Sequence, residues 1–68
     1  MIPIDSTAIA RVGYDDARRV LSIEYRNGRT YDYFDVPATV YMDLLSAASA
    51  GEFINLEIKP NYDCIEAE

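Results

Sequence analysis

Residues 19–26 read RVLSIEYR, with apolar Leu21, Ile23 and Tyr25 alternating with Ser22, Glu24 and Arg26. A period of two marks a strand with one face buried and the other in water. Asn27-Gly28 follows at once. It is the strongest short hairpin signal, because a two-residue type I′ turn needs positive φ twice. Residues 29–36 (RTYDYFDV) are aromatic-rich and continue as the partner strand. A third segment, residues 8–14, precedes them and is closed by the polar turn Asp15-Asp16-Ala17-Arg18. The pattern predicts a three-stranded antiparallel meander.

Turn length sets register, and register sets faces. A two-residue turn places Arg26 opposite Arg29, Glu24 opposite Tyr31 and Ser22 opposite Tyr33. A four-residue first turn places Tyr14 opposite Arg19 and Val12 near Leu21. The expected core face is then Ala8, Ala10, Val12, Leu21, Ile23, Tyr25, Phe34 and Val36. The expected solvent face is Ile9, Arg11, Ser22, Glu24, Arg26, Arg29, Tyr31 and Tyr33. Asp32 falls on the core side as a misfit, which a position at the rim or a bulge would relieve.

Beyond the sheet the period changes from 2 to 3.6. Pro37 suits the first turn of a helix, and Val40, Tyr41, Leu44, Leu45 and Ala48 form one apolar stripe. Ser49-Ala50-Gly51-Glu52 has the S-x-x-E form of a capping box, followed by Phe53, Ile54, Leu56 and Ile58. A second, shorter helix is expected to end before Pro60. Residues 63–68 read as an acidic tail, although the run IKPNYDC could carry an extended edge strand. The fold class is α+β: a three-stranded meander packed on one face by two C-terminal helices.

Composition narrows the chemistry. Sixty-eight residues make one domain with a small core. With a single Cys and no His, an internal disulfide is excluded, and a Cys/His zinc site or a Ser-His or Cys-His nucleophile is not expected. No cofactor and no metal are expected, and the chain reads as a non-enzyme. No apolar run approaches the ~18–20 residues that span a bilayer, and no signal peptide opens the chain, so a cytoplasmic protein is expected. The formal charge is −6 but unevenly placed. Before residue 30, five arginines face four acids, giving +1; from residue 30 on, Lys59 stands against eight acids, giving −7. That balance argues against bulk duplex DNA, whose binding needs many phosphate contacts. It leaves a local Arg cluster free to hold a few phosphates.

Ser6-Thr7 with Ile9, then Tyr14, Tyr31-Asp32-Tyr33, Val36-Pro37 and Ser49-x-Gly51-x-Phe53-x-Asn55-x-x-Ile58 occur in an order that resembles the KTSC domain family. The resemblance spans about residues 6–62, so residues 1–62 are expected to form one KTSC-like domain. That family occurs as free-standing small proteins and as an appendage of some lysyl-tRNA synthetases. The resemblance implies nucleic-acid binding as the expected activity.

The candidate ligand-binding residues are Arg11, Arg26, Arg29, Tyr31, Tyr33, Asn55 and Lys59. Tyrosines stack bases and guanidinium forks hold phosphates. The same rings could instead lie under Arg stems as ordinary sheet surface, or under a second chain. Asn55 could bind a ligand or tie its helix to the sheet. Ser6 and Thr7 suit a turn or strand start, Asp15-Asp16 a turn, and Cys64 sits among acids that blunt its reactivity. The expectation is a small binding domain that holds, and could sequester, a nucleotide-type phosphorylated ligand or short RNA. A homo-oligomer is also expected, because association buries surface that 68 residues cannot bury alone. The alternative is a protein–protein interaction module using the same Tyr-rich face.

Overall fold

The computed structural model describes residues 1–67. Its strands are β1 (Ile2–Pro3), β2 (Ile9–Asp15), β3 (Val20–Tyr25), β4 (Thr30–Tyr33) and β5 (Cys64–Ala67). They form one antiparallel sheet in chain order. The class is α+β as expected, but two edge strands flank the expected three. β1 is too short to show a period, and β5 lies in the stretch expected as an acidic tail. Glu68 of that stretch lies outside the described residues.

Helix α1 (Ala38–Ser46) starts directly after Pro37, whose φ of −64° suits a helix entry. Leu44 is its buried anchor, with Val40 and Tyr41 packed beside it, while Leu45 and Ala48 face solvent. Helix α2 (Ala50–Phe53) is capped as the S-x-x-E pattern predicts: Glu52 N–H donates to Ser49 Oγ at 3.2 Å. It widens into a π-helical stretch, Ile54–Ile58, closed by Lys59 N–H donating to Ile54 O at 2.8 Å. Ile54 and Ile58 are both buried there. Among the described residues, no helix is long and apolar enough to cross a membrane.

The core joins Ile9, Val12, Leu21, Ile23, Tyr33 and Val36 to Leu44, Ala50, Ile54 and Ile58 of the helical half. The helices therefore cover one face of the sheet. The strand faces differ from the expected ones in two places. In β2 the pairing shifts between Ile9 and Arg11. This bulge turns Ile9, rather than Ala8 or Ala10, into the core, while Val12 stays inside. The first turn also differs, since Val12 pairs with Ile23 and Tyr14 with Leu21. Its Asp15 carboxylate accepts from Ala17 N–H and Arg18 N–H, the turn chemistry read from Asp15-Asp16.

The second difference lies in the β3–β4 hairpin. Tyr25 N–H donates to Arg29 O at 2.8 Å, and Gly28 N–H donates to Tyr25 O at 3.0 Å. The loop is thus three residues, Arg26-Asn27-Gly28, with Gly28 at φ +90°. This is the type I turn with a left-handed glycine at the bulge, not a two-residue type I′ turn. The register slips by one: Leu21 faces Tyr33, Ser22 faces Asp32, Ile23 faces Tyr31 and Glu24 faces Thr30. A slip of one exchanges faces. Tyr31 and Tyr33 turn inward, and Asp32 turns outward, where Ser22 Oγ donates to its carboxylate at 2.6 Å. That pairing removes the misfit.

Beyond β4, Asp35 at φ +56° redirects the chain so that Val36 returns to the core. Tyr14 Oη then donates to Val36 O at 2.5 Å, and its ring stacks on Tyr41 with centroids 5.2 Å apart. These contacts fasten β2 to the start of the helical half.

Candidate functional site

The three arginines expected on one Tyr-bearing face do not share it. Arg11 lies on the outer face, where its Nε donates to Glu24 Oε1 at 2.9 Å and its Nη2 pairs with the same oxygen. Arg26 sits in the hairpin loop, donating from Nε to Ser6 O (3.0 Å) and from Nη2 to Ile4 O (3.2 Å). It clamps the β1–β2 connection. Ser6 Oγ caps that same connection by accepting from Ala8 N–H and Ile9 N–H. Asn55 is exposed on the π-helical stretch.

Tyr31, Tyr33 and Lys59 do come together, on the inner face. They line an open cleft of about 450 Å³ with Tyr25, Asn27 and Cys64. That volume falls in the range of small-molecule sites. The cleft runs along the inner face from the β3–β4 hairpin, at Tyr25 and Asn27, to the far end of β4, where Tyr33 pairs with Cys64 at the start of β5, and Lys59 reaches it from the end of the π-helical stretch. Tyr25 and Tyr31 pack edge to face with centroids 5.7 Å apart. Lys59 Nζ is 5.6 Å from the Tyr25 ring centre, within cation–π range. Its placement follows from the π turn, which ends one residue earlier with Ile58 buried.

The polar groups here are poorly matched to one another. Tyr25 Oη is buried and has no hydrogen-bond partner among the described residues. Burial holds the Tyr33 phenol well above its ordinary pKa, and the neighbouring Tyr25 hydroxyl and Cys64 thiol add to the rise. Arg29 stands beside Tyr31, whose hydroxyl raises the guanidinium pKa, with Glu66 adding to the effect. Lys59 makes no salt bridge among the described residues. The result is an aromatic cleft with one cation over it and a second beside Tyr31.

Three lining residues escape a reading from pattern alone. Tyr25 reads as core, Asn27 as turn and Cys64 as tail. The signal for Tyr25 is Asp32: moving its carboxylate off the core side requires the one-residue slip that gathers Tyr25, Tyr31 and Tyr33 on one face. Nothing comparable announces Cys64, because its place depends on β5 pairing with β4.

The KTSC domain model matches residues 5–62. A protein of Tsukamurella paurometabola is 42% identical over 65 residues, covering 96% of this chain and 97% of the relative. A lysine–tRNA ligase of Nostoc punctiforme is 34% identical over 58 residues, which are 85% of this chain but 10% of the ligase. The crystal structure of a KTSC domain protein from Yersinia pestis superposes with a TM-score of 0.93 at 35% identity. That match covers 97% of this chain and 93% of the other. The sequence order of the tyrosines, the capping box and the closing Ile58, together with these matches, place the chain in the KTSC domain family.

Proposed function

We propose that this protein is a non-enzymatic binding domain that holds one nucleotide, either free or at an exposed position of a short RNA, in the tyrosine cleft. The observation carrying this reading is Lys59 Nζ poised over the Tyr25 ring, beside Tyr31 and Tyr33, in a cleft open to solvent. A base gains stacking surface from the rings, and a phosphate gains a cation that no carboxylate of the described residues holds in a salt bridge. Arg29 beside Tyr31 supplies a second positive charge. Arg11 and Arg26 leave the ligand set, because a carboxylate and two backbone carbonyls already occupy them.

The scale of the site supports one nucleotide rather than a long strand. A single lining cation neutralises about one phosphate, and the surrounding chain carries a formal −6. Kinship with a segment of lysine–tRNA ligases supports RNA as one source of that nucleotide. A free nucleotide held the same way would be sequestered.

The test is titration of the purified protein with a mononucleotide and with a short single-stranded RNA at two salt concentrations. RNA binding is expected to weaken with salt by a slope of roughly 0.7 for the one phosphate neutralised, and mononucleotide binding by less, because a free nucleotide has no condensed counterions to release. Lys59→Ala should abolish that slope, and Tyr31→Ala should cost ~1–3 kcal/mol of binding. Failure of wild-type protein to bind either ligand overturns the reading. A salt-insensitive complex with a partner protein through the same tyrosines would replace it with a docking function.

A further inference from the structure

A second hollow, of about 430 Å³ and sharing no lining residue with the tyrosine cleft, lies where α1 gives way to α2. Ala47 and Ser49 both have extended backbone, at φ −68°, ψ 142° and φ −132°, ψ 109°. The connection between the helices therefore runs straight there, and with Ala48 it offers side chains too small to fill the gap. Opposite stand Phe53, half-buried, and Leu56, 64% exposed. Ile54 and Ile58 take the buried positions of that segment, which leaves Leu56 facing water. Glu52 and Glu57 complete the lining, and no cation joins them. Glu52 meets Ser49 through its backbone N–H, so its carboxylate stays free. Among the described residues, neither carboxylate is in a salt bridge or accepts a hydrogen bond.

We propose that this hollow docks a basic amphipathic segment of another protein, with an apolar side chain seated against Phe53 and Leu56 and Lys or Arg facing Glu52 and Glu57. The apolar lining supplies contact area, and the charge at its rim decides the occupant. A nucleic acid or an anionic lipid surface would bring phosphates against the same carboxylates and be repelled. A second copy that placed this face on itself would set four carboxylates around one contact, a like-charge juxtaposition that costs affinity. A cationic partner removes that conflict and covers Leu56 in the same step. The formal −6 of the chain extends the attraction beyond the contact and speeds encounter at low salt. A hollow of this size makes a small contact, suited to transient association. Because the two linings are separate, this surface is independent of the nucleotide reading.

The test is an NMR titration of the isotope-labelled full chain with a short helical peptide of leucine and lysine, its leucines on one face. Two controls accompany it: the same pattern with glutamate for lysine, and the same composition scrambled so that the leucines share no face. The amide signals of Ala47, Ser49, Phe53 and Leu56 should move with the first peptide, and both controls should bind at least roughly tenfold more weakly. Glu52→Gln with Glu57→Gln keeps the capping pattern, which accepts Gln. It should weaken binding roughly fivefold at low salt, a difference that vanishes at high salt. Leu56→Ala should weaken it roughly tenfold at either salt. Absence of binding overturns the proposal. So does equal affinity for the scrambled peptide, or signal changes along β5 instead, because net charge alone would then account for the attraction. Self-association of the protein that is lost in Leu56→Ala would give the surface to a second copy and overturn the proposal as well. Nucleotide binding, read in parallel, should be unchanged in both variants. A loss there would join the hollow to the tyrosine cleft and overturn its independence.

Discussion

On the outer face of the sheet, Arg11 is bound to Glu24 and Ser22 to Asp32. On the inner face, beyond the reach of the helices, Tyr25 Oη has no partner and Lys59 stands over a ring instead of a carboxylate. Both faces carry charge and hydroxyls, but only one has its polar groups satisfied internally. Charge content is therefore a poor guide to where a ligand sits. The face that bears Arg11 neutralises itself, whereas the face richer in tyrosine keeps donors to spare. The cause is topological: the inner face is built to be covered, and α2 with the π-helical stretch covers only part of it.

The largest effect expected from breaking this arrangement comes from its hinge. Ile54 is buried where the π turn begins, under the same sheet face that bears the cleft. Ile54→Ala should cost ~2–5 kcal/mol in urea unfolding, by lost transfer energy plus a residual cavity. Such a loss threatens a domain this small. Leu56→Ala, two residues further on but 64% exposed, should cost little. Comparable losses at both positions would contradict the one-sided cover.

Next in size is the alkaline limb of stability, which separates Tyr33 from every hydroxyl on the outer face. Its folded pKa lies above the ordinary tyrosine value because of burial. The unfolded chain releases this proton near pH ~10. Above that pH the unfolded state binds fewer protons than the folded one. The contribution of Tyr33 is thus fully present below pH ~10 and falls as pH rises toward the folded pKa, by up to ~1.4 kcal/mol per unit. Denaturant unfolding at pH 9 and pH 11 should show the slope, and Tyr33→Phe should flatten it. A slope unaffected by that variant would mean that Tyr33 is solvated as freely as the outer-face groups.

How far the two faces could be read in advance follows from what sets them. The alternation of Leu21, Ile23 and Tyr25 is a property of β3 itself, and the inner side of that strand is legible without any partner. The same holds for the Ser49 cap, whose hydrogen bond spans three residues. The faces of Tyr31 and Tyr33 are not local in this sense. They depend on whether the hairpin loop has two residues or three, and Asn27-Gly28 suits both, because each places a glycine at positive φ. One residue of loop length moved both rings across the sheet. β5 was harder still: Cys64, Ile65 and Glu66 are all exposed, so no burial alternation marks the strand. Its backbone bonds to β4 define it. Lys59 was legible as a cation in an acidic half, but its partner was not, since the cation–π contact joins it to the core side of β3.

The smallest expected effect tests the satisfied face. Arg11 and Glu24 form an exposed pair, with the Arg11 side chain 53% accessible. Such pairs contribute ~0.2–1 kcal/mol, because water screens them and two long side chains lose freedom in making them. Arg11→Ala should lower stability by no more than that, and part of the loss should vanish at high salt. Nucleotide affinity should stay within error, although Arg11 is among the residues that composition and register alone would choose first for a phosphate. If Arg11→Ala weakened nucleotide binding as much as Lys59→Ala does, the outer face would be the ligand face. The tyrosine cleft would then be an ordinary gap in a small core. An unchanged affinity, with the salt slope lost only in Lys59→Ala, ties the ligand to the side where the polar groups lack partners.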